Sequence, residues 1–96
     1  MEFMSYFVKI TTQFKKSYKL AIKRGLDISL LEDVVKKLKN NIPLEEHFHD
    51  HQLTGNMKLF RECHIQPNWL LVYLKQESIL TLTLVDTGTH SDLFGK

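Results

Sequence analysis

Residues 57–86, MKLFRECHIQPNWLLVYLKQESILTLTLVD, hold three apolar-rich runs separated by two short polar turns. Met57 to Ile65 alternates with the two-residue period of a strand. Lys58, Phe60, Glu62 and His64 share one face, and Met57, Leu59, Arg61, Cys63 and Ile65 share the other. Gln66-Pro67-Asn68 is turn chemistry. Trp69 to Lys75 is almost continuously apolar, which suits a central strand buried on both faces. After Gln76-Glu77-Ser78, the run Ile79 to Asp86 points Leu80, Leu82 and Leu84 one way and Thr81 and Thr83 the other. Connections this short join antiparallel neighbours, so the segment predicts a three-stranded antiparallel unit.

Upstream the period changes. Met4 to Ile10 is aromatic and β-branched and predicts one further strand. Thr11 or Thr12 can cap a helix on which Phe14, Tyr18, Ala21 and Ile22 form one face, and Gly25 is a natural stop. Ser29-x-x-Glu32 has the form of a capping box ahead of Leu31, Val34, Val35 and Leu38, and Asn40-Asn41 with Pro43 ends that second helix. Residues 44–56 are polar and predict a loop. Downstream, Gly88 breaks the last strand, and His90 to Phe94 is long enough for a short turn of helix. A strand, a helical hairpin, then three antiparallel strands make one α+β domain spanning residues 1–96.

The composition narrows the possible functions. With 43% hydrophobic and 25% charged residues, the 96-residue chain is ordinary for one folded domain. Cys63 is the only cysteine, which excludes an internal disulfide and a multi-cysteine metal site and suits a reducing, cytoplasmic compartment. No apolar run approaches the roughly 20 residues of a membrane span, and the N-terminus lacks the pattern of a signal peptide. Net charge is only +2, but it is polarised: residues 1–44 carry nine Lys/Arg against four Asp/Glu, and residues 45–96 carry four against seven. Lys15, Lys16, Lys19 and Lys23 on the first helix offer a basic ridge to a polyanion, or are simply a solvated helix face.

Residues capable of chemistry gather in Asp50–Trp69, DHQLTGNMKLFRECHIQPNW. Glu62 and His64, two apart on a strand, point to one face, and since the opposite face carries more apolar residues, that face is expected to look outward. A carboxylate beside an imidazole raises its pKa and orients it. His90, just past the Gly88 break, is set to reach the rim of the sheet, with Phe94 as a base-stacking platform or a core plug. The histidine-rich His47-Phe48-His49-Asp50-His51 differs from the binuclear metallohydrolase pattern HxHxDH by one missing residue. Ligand geometry depends on spacing, so no metal is expected and His47 and His49 are assigned to solvent. Cys63 falls on the core face, where a catalytic thiolate is not expected.

DHQLTGNMKLFRECHIQPNWLLVYL followed by TGTHSDLFG resembles the YafQ branch of the RelE toxin superfamily, ribosome-dependent mRNA endonucleases of bacterial toxin–antitoxin pairs. The likeness covers nearly the whole chain, in the same order of elements. It implies catalytic residues at His51, Glu62, His64 and His90, and substrate contacts at Lys58, Arg61, Asn68, Trp69 and Phe94. The family usually has Asp where this chain has Asn68, which cannot accept a proton at neutral pH.

The chemistry so implied needs no cofactor: the substrate's 2′-hydroxyl attacks, one group takes its proton, another protonates the leaving 5′-oxygen, and cations steady the phosphorane. His64, helped by Glu62 and His51, is assigned as base and His90 as acid; the same residues permit the reverse. The implied partners are a cognate antitoxin, the ribosome and mRNA, with no membrane and with DNA reached only through the antitoxin complex. A non-catalytic RNA- or antitoxin-binding module, motivated by Asn68, and a small metalloenzyme are the competing functions.

Overall fold

The computed structural model describes residues 5–95, so Met4, which opens the predicted first strand, lies outside them. The described elements are β1 (Phe7–Ile10), α1 (Thr12–Lys23), α2 (Ile28–Lys39), β2 (His51–Gln52), β3 (Arg61–Gln66), β4 (Trp69–Gln76), β5 (Thr81–Gly88) and α3 (His90–Phe94), with single 3-10 turns at Glu46–Phe48, Gly55–Met57 and Glu77–Ile79. The sheet order is β1-β5-β4-β3-β2. Strands β2 to β5 are antiparallel neighbours, and β1 lies parallel to β5. This is the α+β architecture expected, with β4 at its centre.

Thr11 caps α1: its side chain accepts from the Phe14 N–H at 2.9 Å and donates to the Val85 carbonyl at 2.6 Å, which ties the helix start to β5. Phe14 and Ala21 are buried as the periodicity requires, but Ile22 turns outward, half exposed. Helix α2 starts earlier than the Ser29-x-x-Glu32 box implies. Asp27 is the N-cap, accepting from both the Ser29 N–H and its hydroxyl, so Ser29 sits inside the first turn. Leu31, Val34 and Leu38 then meet Cys63, Ile65, Trp69, Leu71, Tyr73, Leu82 and Leu84 in the main core, with Tyr6 from the N-terminal side. Each fully buried leucine there contributes about 2 kcal/mol.

Strand β3 departs from the sequence pattern. It begins at Arg61, while Met57 lies in a 3-10 turn and Lys58 and Leu59 in the turn that follows, so Lys58 and Phe60 do not share a strand face with Glu62 and His64. Nor does that face look outward at Glu62, a residue only 4% exposed. Cross-strand partners share a side of the sheet, and Glu62 is paired with Val72 and His64 with Leu70. Leu70 and Val72 are as buried as the main core. The second face of the sheet is thus a smaller buried layer, and alternation alone could not choose between two covered faces.

Candidate active site

Sheet register builds the site. His51 of the edge strand β2 is the direct partner of Glu62 on β3, and one step along, His64 pairs with Leu70 of β4, which pairs with Gly88 of β5. The chain leaving β5 at Gly88 therefore starts level with His64. Gly88 has φ +154°, and a Cβ there would fall 2.8 Å from the Cβ of Asp92, so the bend into α3 requires glycine. Thr89 caps α3 and forms a reciprocal box with Asp92, fixing the first residue of the helix, His90.

The outcome is an imidazole cluster around one buried carboxylate. Glu62 Oε1 lies 3.4 Å from His51 Nε2 and 4.0 Å from His64 Nε2. The His64 and His90 rings are 5.7 Å apart, edge to face. Glu62 Oε2 is buried without a hydrogen-bond partner among the described residues. The His64 imidazolium is disfavoured: burial lowers its pKa, Glu62 opposes this, and His49, His90 and His51 lower it further. His64 is thus held neutral near pH 7, with a free lone pair beside a carboxylate.

Of the residues expected from sequence, His51, Glu62, His64 and His90 are brought together. Trp69 is not available to substrate: it is 2% exposed and its indole N–H donates to Thr87 Oγ1 at 2.9 Å, so it is a core residue and that assignment is corrected. Arg61 is half-buried and bonded to Asp50, at 3.2 Å from Nη2. Burial works against its charge, but the bonds to Asp50 and Tyr73 outweigh it and raise the pKa. Lys58 and Phe94 are exposed. Asn68 is exposed in the β3–β4 turn, beside a cleft shared with Thr89, and no hydrogen bond joins it to the imidazoles among the described residues. Lys15, Lys16, Lys19 and Lys23 are all exposed on α1. Burial, reinforced by Asp50 and Glu62, pushes the Cys63 thiol up to about 12, which removes it as a nucleophile.

Three participants escaped the sequence. Asp50 accepts hydrogen bonds from the Tyr73 hydroxyl and from Arg61, which pins the residue preceding His51 to the sheet. His49, assigned to solvent, adopts a left-handed backbone (φ 50°), its carbonyl lies 2.7 Å from His51 Nδ1, and its ring sits edge-on to His64 at 5.3 Å. Arg24, at the end of α1, donates to Asp92 at 2.6 Å and so ties α3 to the helical layer. Thr89-x-x-Asp92 has the form of a cap pattern, which announces Asp92 but not its partner Arg24.

A cation could also be accommodated. Glu62, His64 and His90 offer ligand atoms all within 4.8 Å of one another. The donors come from β3 and α3, not from the 47–51 histidine run.

A four-stranded antiparallel unit with a parallel edge strand, helices on one side and imidazoles around a carboxylate at one end defines a small α+β domain equipped for proton transfer. The chain belongs to the family described as bacterial toxin of type II toxin-antitoxin system, YafQ, whose model matches residues 6–95. It is 37% identical over 89 residues to the mRNA interferase toxin YafQ of Escherichia coli K12, covering 92% of this chain and 95% of that one. The toxin in the crystal structure of the E. coli DinJ–YafQ toxin–antitoxin complex superposes with a TM-score of 0.87 at 36% identity, over 95% of this chain and 99% of that one. A metal-bound toxin from Helicobacter pylori gives the same TM-score at 42% identity, over 93% and 99%.

Proposed function

We propose that this toxin is a ribosome-dependent endoribonuclease that cleaves mRNA by acid–base catalysis, with the substrate's 2′-hydroxyl as nucleophile. The observation that carries this is the buried Glu62 carboxylate flanked by His51 and His64, with His90 facing them. His64, neutral and beside Glu62, takes the 2′-hydroxyl proton, and the carboxylate stabilises the imidazolium that forms. The 2′-oxygen then attacks phosphorus, and the 5′-oxygen leaves with a proton from His90, giving a 2′,3′-cyclic phosphate and a 5′-hydroxyl end. The low proton affinity of His64 favours it as base over the reverse assignment. His51 shares the Glu62 charge from the open side. Lys58, exposed and without an acidic partner among the described residues, is the freer cation for the phosphorane; Arg61 is engaged by Asp50.

Lys15, Lys16, Lys19 and Lys23 provide a basic surface for RNA backbone, ribosomal or messenger. A cognate antitoxin neutralises the toxin, in keeping with the relative that forms a complex with DinJ. The test is translation with purified ribosomes and a defined message, comparing the parent with His64→Ala and His90→Ala. Both variants should lose cleavage by at least about a hundredfold. Equal rates for parent and variants would sink the catalytic assignment, and an inert but RNA-binding parent would favour a non-catalytic module.

A further inference from the structure

Sharing His64 with the cluster, but not lined by His90, is a cleft of about 450 Å³ formed by His47, His49, His64, Ile65, Gln66 and Pro67. Small-molecule sites fall in this range, roughly 300–1,000 Å³. Its walls share one chemistry. Ile65 and Pro67 are apolar, and His49 and His64 present two imidazoles set edge to face at 5.3 Å. His47 is braced by its ring contact with Phe48 at 4.2 Å. Gln66 is exposed at the end of β3, and its amide, which makes no hydrogen bond among the described residues, carries both a donor and an acceptor. The lining contains no lysine or arginine, so it is unsuited to a phosphate. A flat, uncharged ring with hydrogen-bonding edges is what it complements.

His49 closes the Glu46–Phe48 turn in the left-handed conformation, as Leu80 does after Glu77–Ile79. A non-glycine residue in the left-handed region costs about 1 kcal/mol, and here that conformation lets its carbonyl meet His51 Nδ1 while its ring borders the cleft. We propose that this cleft seats a nucleobase of the RNA substrate, the one flanking the cleaved phosphate, with the His49 ring as stacking platform and the Gln66 amide reading the base edge. This rests on the proposed ribonuclease function, because His64 is the wall shared by the cleft and the scissile phosphate.

The test separates the two ideas. The isotope-labelled full-length protein is titrated with AMP, CMP, GMP and UMP, and with ribose 5-phosphate as a base-free control. Nucleotides should shift the Ile65 methyl and Gln66 amide signals and ribose 5-phosphate should not. His49→Ala should weaken binding about five- to tenfold and His49→Phe should retain it, as loss and retention of a stacking face require. On ribosomes, Gln66→Ala should flatten the preference among messages that differ at the flanking base, through KM more than kcat. Equal shifts with ribose 5-phosphate, shifts confined to other surfaces, or no shifts overturn the proposal. Nucleotide shifts in the cleft of a protein that cleaves nothing would keep the subsite and remove the ribonuclease.

Discussion

Replacing Glu62 by Gln keeps the shape of the side chain and removes its charge, and the structure predicts opposite effects on stability and rate. Glu62 is 4% exposed and its Oε2 has no hydrogen-bond partner among the described residues. A buried carboxylate with one oxygen unpaired is poorly compensated, so neutralising it should stabilise the fold by about 1 kcal/mol, or roughly 4–8 °C in melting temperature for a domain of this size. Catalysis should suffer. At the 4.0 Å between Glu62 and His64, the attraction of a carboxylate for an imidazolium is about 1 kcal/mol if water screens it fully and about 4 kcal/mol at the effective dielectric of a protein surface.

Because the His64 side chain keeps about a fifth of its surface in water, the lower half of that range applies. The expected loss in kcat is then about five- to seventyfold. The sign for His64 is fixed by its environment. Burial and the neighbouring histidines already lower its pKa and Glu62 alone raises it, so Glu62→Gln must lower it further. The acid limb of the pH–rate profile should move to lower pH while the plateau falls. Histidine NMR titration, calorimetry and single-turnover cleavage read the three effects. A raised or unchanged His64 pKa would refute the electrostatic reasoning. A melting temperature that falls together with the rate would make Glu62 a structural residue.

Other perturbations probe the supports. Asp50→Asn leaves the half-buried Arg61 guanidinium without its counter-charge and weakens the Tyr73 tie, so stability should drop by about 1–3 kcal/mol, and the His51 ring signals should broaden as its loop loosens; an unchanged melting temperature would contradict this. Arg24→Ala removes the bond joining α3, which has no buried residue, to the rest of the fold. Cleavage kcat should fall about tenfold with KM little changed, Arg24→Lys should recover part of it, and identical rates would deny Arg24 any positioning role. The same pair should survive mild acid. The Arg24 and Thr89 hydrogen bonds hold the Asp92 carboxyl at about 2, so its contribution is complete above pH 4 or so and is lost only as pH falls through about 2; NMR of α3 at pH 3 should still show the native helix. Finally, Cu²⁺ or Zn²⁺ should inhibit cleavage, reversibly by chelator, because the atoms able to ligate it belong to the groups proposed to transfer protons; a rate that rises with added metal would instead argue for metal-assisted chemistry.

The parts of the fold legible in the sequence are those governed by local patterns. Strands β4 and β5, the faces of α1 (apart from Ile22) and α2, the stop at Gly25 and the short C-terminal helix all follow from periodicity and turn chemistry within a few residues. Parts that depend on how distant segments meet were not legible. The outward prediction for Glu62 failed because the second face, which carries Leu70 and Val72, is itself buried, and the alternation in β3 does not report what lies above it. Strand β2 is two residues long and exists only because β3 offers an edge. Trp69 reads equally well as a stacking residue or as core until its N–H is seen to meet Thr87.

Which histidines belong to the site was likewise a question of register rather than motif. His47, His49 and His51 alternate along one segment, yet only His51 stands opposite Glu62, and His49 joins through a left-handed backbone that no residue pattern announces for a non-glycine. The spacing of the 47–51 run does not report the cation-sized set of donors assembled from β3 and α3. The Asn68 substitution, which raised the non-catalytic alternative, falls in an exposed turn and makes no hydrogen bond to the imidazoles among the described residues. The proposed proton relay of Glu62, His64 and His90 includes no group at position 68. Asn68→Asp then becomes a direct test: if the relay is self-sufficient, restoring the family's usual residue leaves the rate within about twofold, whereas a large gain would place position 68 back among the catalytic groups.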